Sequence, residues 1–403
     1  MKIRFDYVPV MLVSVLMFQL TVLPDTLNIQ PLARLVNTLI LFVLAVGFCL
    51  LISKKRPTAV ILYYSLPLIL IILGYSINFM LALSSDTLGQ AGKLLPYLGA
   101  LTIPFLKKHD LAKCWNIFYV FMFWTVVIGI FEYAAIFGGV LEPVRIETSR
   151  GVFFKGIFSI LHYLDGGIPY YRFYGVFPEP GTLAMFLTPA LVYALIYSKK
   201  LAIGLFLIAI AMSASLGGYV SVLVVVYLFI SWKAGKLKYM KSGKVVVFIL
   251  AALCLLMVSE ELTGIYKAKQ LSASVREEQV SYFIDDFVAI VTDKPFGFIL
   301  EGESLTALKS ENQNYLGNNF SFYTAFVQGG ILAFVGYTVF FSLNVIVLIK
   351  YYTQNHDPDR LTACAMLSLP AVLLYAFQRV TILESLLFAF LFSVPLLRVL
   401  TRK

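Results

Sequence analysis

The chain has 403 residues, of which 60% are hydrophobic and only 13% charged, and its mean hydropathy is +0.86. This composition excludes a soluble globular domain and requires a bilayer as solvent. The net charge of +10 does not point to nucleic acid, because Lys and Arg fall almost entirely between the apolar runs.

The first run follows Met1 to Arg4 and resembles a signal sequence, but no small-residue cleavage site precedes Pro24, so it is expected to stay as the first span. A spanning helix needs roughly 17 to 25 mostly apolar residues. Runs of that kind cover 7–23, 35–52, 59–83, 88–106, 114–137, 182–197, 201–214, 217–232, 245–258, 320–349, 361–377 and 382–400. The expected fold is therefore an all-α polytopic membrane protein, a single membrane domain of about 12 transmembrane helices.

Orientation follows from the basic residues, because cytoplasmic loops retain Lys and Arg while short translocated loops lack them. With the N-terminus inside, the cytoplasmic side holds Lys2, Arg4, Lys54, Lys55, Arg56, Lys107, Lys108, Lys113, Lys199, Lys200, the lysine group 233–244, Lys350, Arg360, Arg398, Arg402 and Lys403. The short external loops hold only Arg34, Lys93 and Arg379. Both termini are therefore expected to be cytoplasmic, and the long segments 141–180 and 259–319 extracytoplasmic. Function is sought in those two segments. No internal repeat and no pair of interrupted helices in matching halves is evident.

Segment 141–180 carries Arg145, Glu147 and Arg150, an aromatic stretch, and then Arg172-Phe173-Tyr174-Gly175-Val176-Phe177-Pro178-Glu179-Pro180. Prolines on both sides of Glu179 bar it from a regular helix and imply an extended return to the membrane. Arg172 and Glu179 then sit at the outer boundary, where ionisable groups are costly and functional by default. The plainer alternative is an Arg–Glu ion pair that only fixes the loop. Downstream, Ser213, Ser215, Gly217 and Gly218 form a small, polar break whose default meaning is close helix packing.

Segment 259–319 places Arg276 beside Glu277 and Glu278, ahead of apolar residues at helical spacing (Val280, Phe283, Ile284, Phe287, Ile290) and Pro295-Phe296-Gly297. The pattern reads as an amphipathic helix on the membrane surface, stopped by Pro295. By itself Arg276 reads as a solvated charge. The run from Asn318 and Asn319 to Gly329-Gly330-Ile331 leads into the tenth span. Cys49, Cys114, Cys254 and Cys364 lie singly in or beside apolar runs and read as packing residues. No phosphate loop, HExxH or GxSxG is present, and neither a metal nor a cofactor is expected.

In this order the motifs resemble the bacterial O-antigen polymerase and ligase superfamily, the Wzy-type polymerases more than the ligases. Four places carry the likeness: Arg172 to Pro180, Ser213 to Gly218, Arg276 to Gly297, and Asn319 to Ile331. Two departures stand out. Leu216 occupies a place where many members have Arg, and Asn319 one where the ligases have His, which favours polymerase over ligase.

The resemblance implies a multi-pass membrane glycosyltransferase of the bacterial plasma (inner) membrane. It would join oligosaccharide repeat units of O-antigen, capsule or exopolysaccharide, carried on undecaprenyl pyrophosphate, at the outer face. A flippase and a chain-length-regulating membrane protein would be its partners. Arg172 and Arg276 would stabilise the departing pyrophosphate, since guanidinium stays charged and binds phosphate oxygens bidentately. Glu179 would act as general base or orient Arg172. Asn319, Arg150, Arg145 and Tyr174 would bind substrate. An O-antigen ligase and a 12-helix transporter or lipid flippase are the alternatives. The latter would require polar groups deep within several spans, whereas Glu132 and Glu384 lie toward the outer ends.

Overall fold

The computed structural model describes residues 39–40, 59–82, 97, 100–148, 151–164, 170–177, 179–234, 287–297, 321–353, 358–378 and 393–398. These are mostly helical. The helices are α1 (Ala59–Ala82), α2 (Lys108–Phe137), α3 (Pro180–Ile196), α4 (Lys200–Ser213), α5 (Leu216–Lys233), α6 (Phe287–Asp293), α7 (Ser321–Thr353) and α8 (Arg360–Gln378). A 3-10 turn covers Ile103–Phe105. Among the described residues, three helices are long and apolar enough to cross a membrane: Ile61–Leu81, Lys108–Phe137 and Phe322–Tyr352, of 21, 30 and 31 residues. Together with the composition they mark a membrane protein.

Helices α1, α2, α3, α4, α5, α7 and α8 fall on seven of the apolar runs read from the sequence. Runs 7–23, 35–52, 88–106, 245–258 and 382–400 lie wholly or mostly outside the described residues, and the described end of 88–106 is the 3-10 turn rather than a continuing helix. Exposed Leu62, Leu66, Trp124, Phe131 and Ile230 on α1, α2 and α5 are what lipid-facing helices present.

The all-α expectation needs one correction. Residues 144–175 form a four-stranded antiparallel meander, β1 (Val144–Thr148), β2 (Gly151–Lys155), β3 (Ile160–Leu164) and β4 (Tyr170–Gly175), in the order β1-β2-β3-β4. The physical reason is in the sequence. Short runs are rich in Val, Ile, Phe and Tyr, residues that fit a pleated surface, and the second and third are separated by a Gly-containing turn. Gly156 opens the β2–β3 turn, closed by its N–H donating to the Ser159 carbonyl at 2.9 Å.

The chain divides into two compact units. The first holds α2, the sheet, α3, α4, α5 and the start of α8; its core includes Trp115, Phe118, Phe186 and Phe206, all essentially inaccessible. Cys114 and Cys364 are buried there as free thiols. Two contacts join its loop ends. Asp359 takes Lys108 Nζ at 2.7 Å and the Thr362 N–H at 3.0 Å, and Arg360 lies over the Tyr197 ring at 5.5 Å. The second unit holds α1, the 3-10 turn, α6 and most of α7, and there Arg398 Nη2 donates to the Pro104 carbonyl at 2.8 Å.

Asp359 supplies a first prediction. Partial burial pushes its carboxyl up, but the Lys108 ammonium and the Thr362 N–H outweigh this and hold it below the usual carboxylate range. A lowered folded value means a stabilising contribution that is complete above the unfolded pKa of 3.8 and disappears as pH falls through the lowered value. Asp359→Ala removes the helix cap and an exposed ion pair, so about 1 kcal/mol of stability should be lost at neutral pH. In acid, where the parent carboxyl is protonated too, the two unfolding curves should converge in a detergent melt.

Candidate functional site

In the first unit the site is built on β4. Phe173 is fully buried and points at α2, where a Cβ on Gly129 would stand 2.7 Å from its ring, and Tyr133 meets that ring edge-on at 6.2 Å. Leu161 faces Phe173, whereas the preceding Ile160 faces Gly175, so Tyr174 is an extra residue in the ladder. A β-bulge of this kind bends the strand and re-aims neighbouring side chains. Gly175 then takes φ +56°, the left-handed region that costs glycine nothing.

The half-buried Arg172 turns to the C-terminal end of α4. Its Nε donates to the Ser213 carbonyl at 3.2 Å and Nη2 to the Ala214 carbonyl at 3.3 Å. The last carbonyls of a helix lack intrahelical partners and carry the negative end of its dipole, so the guanidinium supplies hydrogen bonds and charge together. Ala214 is itself left-handed, with φ 45° and ψ 39°, uncommon for a residue with a Cβ. The buried Tyr174 ring lies 6.0 Å from the guanidinium carbon and meets Phe153 edge-on. Tyr219 adds a bond from its hydroxyl to the Ala211 carbonyl at 2.9 Å.

Beyond the turn, Ser215 caps α5 by accepting the Gly218 N–H at 3.4 Å. A Cβ on Gly218 would stand 2.7 Å from Ala184 on α3, so this glycine allows the close packing its size suggests. Glu179 is the N-cap residue of α3, extended at φ −146° and ψ 144°, with Pro180 in the first helical position. Two of the sequence places, Arg172–Pro180 and Ser213–Gly218, are thus brought together.

The other two places also meet, within the second unit. Helix α7 is broken at Gly330, whose φ 64° and ψ −162° are not helical. The interruption runs against the sequence expectation of one continuous span over 320–349. The turn Pro295–Gly297 fills the break. Ile331 N–H donates to the Pro295 carbonyl at 2.9 Å, and a Cβ on Gly297 would stand 2.7 Å from the Phe326 carbonyl. From α1, the Asn78 amide donates to the Phe296 carbonyl at 2.7 Å and the Tyr75 hydroxyl to Gln328 Oε1 at 2.9 Å. Helix α6 ends at Asp293, just ahead of Pro295.

Of the residues singled out from the sequence, Arg172, Tyr174 and Glu179 lie on one short stretch, from which Arg172 reaches the Ser213–Ala214 turn. Arg145 does not join them; it is exposed on β1, at the opposite edge of the sheet from β4. Arg150, Arg276 and Asn319 lie outside the described residues. Sequence reasoning passed over two others. His162 holds the register position opposite Arg172, and Glu132 on α2 is buried and receives the backbone amides of Ile157 and Phe158. Only the isolation of Glu132 in an apolar run signalled it; the position of His162 depends on strand register.

The fold and site define a mostly helical membrane protein with an antiparallel sheet docked on its helices through an arginine-capped helix end. The chain matches no protein-family model, no curated protein and no solved structure.

Proposed function

We propose that the protein is a polysaccharide polymerase, a membrane glycosyltransferase that joins oligosaccharide repeat units carried on undecaprenyl pyrophosphate at the outer face of a bacterial plasma membrane. The observation that carries this reading is the arrangement around Arg172: a bulged strand and a helix end hold one guanidinium beside a buried tyrosine, on the stretch that runs on to Glu179 and Pro180 at the start of α3. Transfer from a lipid diphosphate needs a fixed cation for the leaving group and a base for the acceptor hydroxyl. Arg172 and Arg276 take the first role, and Glu179 the second. Asn319 and Arg150 bind the glycan, while the buried Tyr174 packs beside the Arg172 guanidinium.

The contacts support the proposed topology of about 12 spans with inside termini. Lys108–Asp359, Arg360–Tyr197 and Arg398–Pro104 each join segments, or span ends beside them, that the charge alternation assigns to the cytoplasm. Arg172 with Ser213 and Ala214, and Asn78 with Phe296, join segments assigned to the other side.

A transporter or flippase is the second reading, and the interrupted α7 favours it, since broken helices often line transport sites. Here Pro295 takes the first amide after the break, which weighs against an ion site at that point. The deciding experiment replaces Arg172, Glu179 and Arg276 singly by Ala in the native host, confirms membrane insertion, and resolves lipid-linked and surface polysaccharide on a gel. Collapse of the long-chain ladder to single repeats supports the polymerase. Unchanged chain length with failed export of a solute or lipid refutes it in favour of the transporter.

A further inference from the structure

Glu132 is 7% exposed near the C-terminal end of the apolar helix α2, where a carboxylate is costly unless hydrogen bonds replace its water. It has such bonds. Oε1 accepts the N–H groups of Ile157 and Phe158, the latter at 3.0 Å, and Oε2 accepts Phe158 again at 3.2 Å. Gly156 completes the fit, because a Cβ there would fall on Glu132 Oε1. One side chain of α2 therefore holds the whole 156–159 turn.

That turn leads directly into β3, and β3 sets β4: Ile160 lies opposite Gly175, Leu161 opposite Phe173 and His162 opposite Arg172. The bulge at Tyr174 sits against the first two residues after the turn. A slip of one residue would turn Arg172 to the other face of the sheet, away from Ser213 and Ala214. We infer that Glu132 is a positioning residue, which fixes the β3–β4 register and thereby the placement of the Arg172 guanidinium. The inference rests on Arg172 serving the proposed transfer reaction.

The test is a double-mutant cycle on the full-length protein in lipid nanodiscs, with a diphosphate-linked repeat unit as substrate and kcat/KM as readout. Glu132→Ala should lower kcat/KM about tenfold, a coupling of ordinary size for residues in one hydrogen-bonded network. Glu132→Gln should stay within about threefold of the parent, since its amide oxygen still accepts both N–H groups. In an Arg172→Lys background, where the planar fork is already lost, Glu132→Ala should add no more than about twofold. Losses that multiply, or a Gln variant as damaged as the Ala variant, overturn the positioning role while leaving the polymerase reading intact. If Glu132→Ala does not fold, Glu132→Asp, one methylene shorter, replaces it in the same cycle with the same two criteria. Activity unchanged in both Arg172→Ala and Arg172→Lys removes the reading itself, and this inference with it.

Discussion

Arg172→Ala should cut chain elongation by about 10²–10³-fold, the usual cost of deleting one preorganised donor to charge developing in a transition state. The surface glycan would then consist of single repeat units on the lipid carrier. The fold should tolerate the change, because the side chain's structural duty is to cap α4, and a cation at a helix C-terminus contributes only about 0.3–1 kcal/mol. Membrane levels and the melting point should therefore stay near those of the parent. Arg172→Lys keeps the charge but loses the fork that reaches Ser213 and Ala214 at once, so an intermediate loss of about tenfold is expected. A melting point that falls in step with activity would show that capping is the only duty of Arg172.

The helices were legible because a bilayer imposes long apolar runs on the helices that cross it: seven such runs became α1, α2, α3, α4, α5, α7 and α8, of which α1, α2 and α7 are long and apolar enough to cross. The sheet was not. Its strands are five or six residues long, and aromatic residues occupy both faces, so Val152-Phe153-Phe154 and Tyr170 to Tyr174 lack the clean apolar–polar alternation of a half-buried strand. The order of the motif residues around Arg172 and Ser213 was visible, but their meeting depends on a bulge at Tyr174 and a left-handed Ala214, which no local pattern announces. Glu132 looked like a carboxylate near the end of a span. Its importance lies in amides that come 25 and 26 residues later. The break in α7 was hidden for a related reason: Gly329-Gly330 sits inside one continuous apolar run, and only the Pro295 turn filling it shows the helix interrupted.

Gly330→Ala should be the most destabilising of the single substitutions considered. At φ 64° and ψ −162° the backbone occupies a region that only glycine visits freely, and forcing a Cβ into it costs about 1–3 kcal/mol. The Cβ has no room either, since it would meet the Pro295 carbonyl oxygen and lie 2.5 Å from the Phe296 carbonyl carbon. Relief requires the 295–297 turn to withdraw, which breaks the Ile331–Pro295 and Asn78–Phe296 bonds and leaves the buried Asn78 amide unsatisfied at about 1–3 kcal/mol. A total of about 4 kcal/mol or more is a large share of a typical folding free energy of roughly 5–15 kcal/mol. The variant should accumulate poorly, and whatever is recovered should melt about 5 °C below the parent in detergent. Gly204→Ala is the matching control. It lies on α4 with open space around its Cβ position, so it should be neutral or stabilise by about 0.5–1 kcal/mol through helix propensity. If Gly330→Ala instead melts with the Gly204 variant, the Pro295 turn does not hold the broken helix, and the two motifs that meet there are neighbours without mechanical consequence.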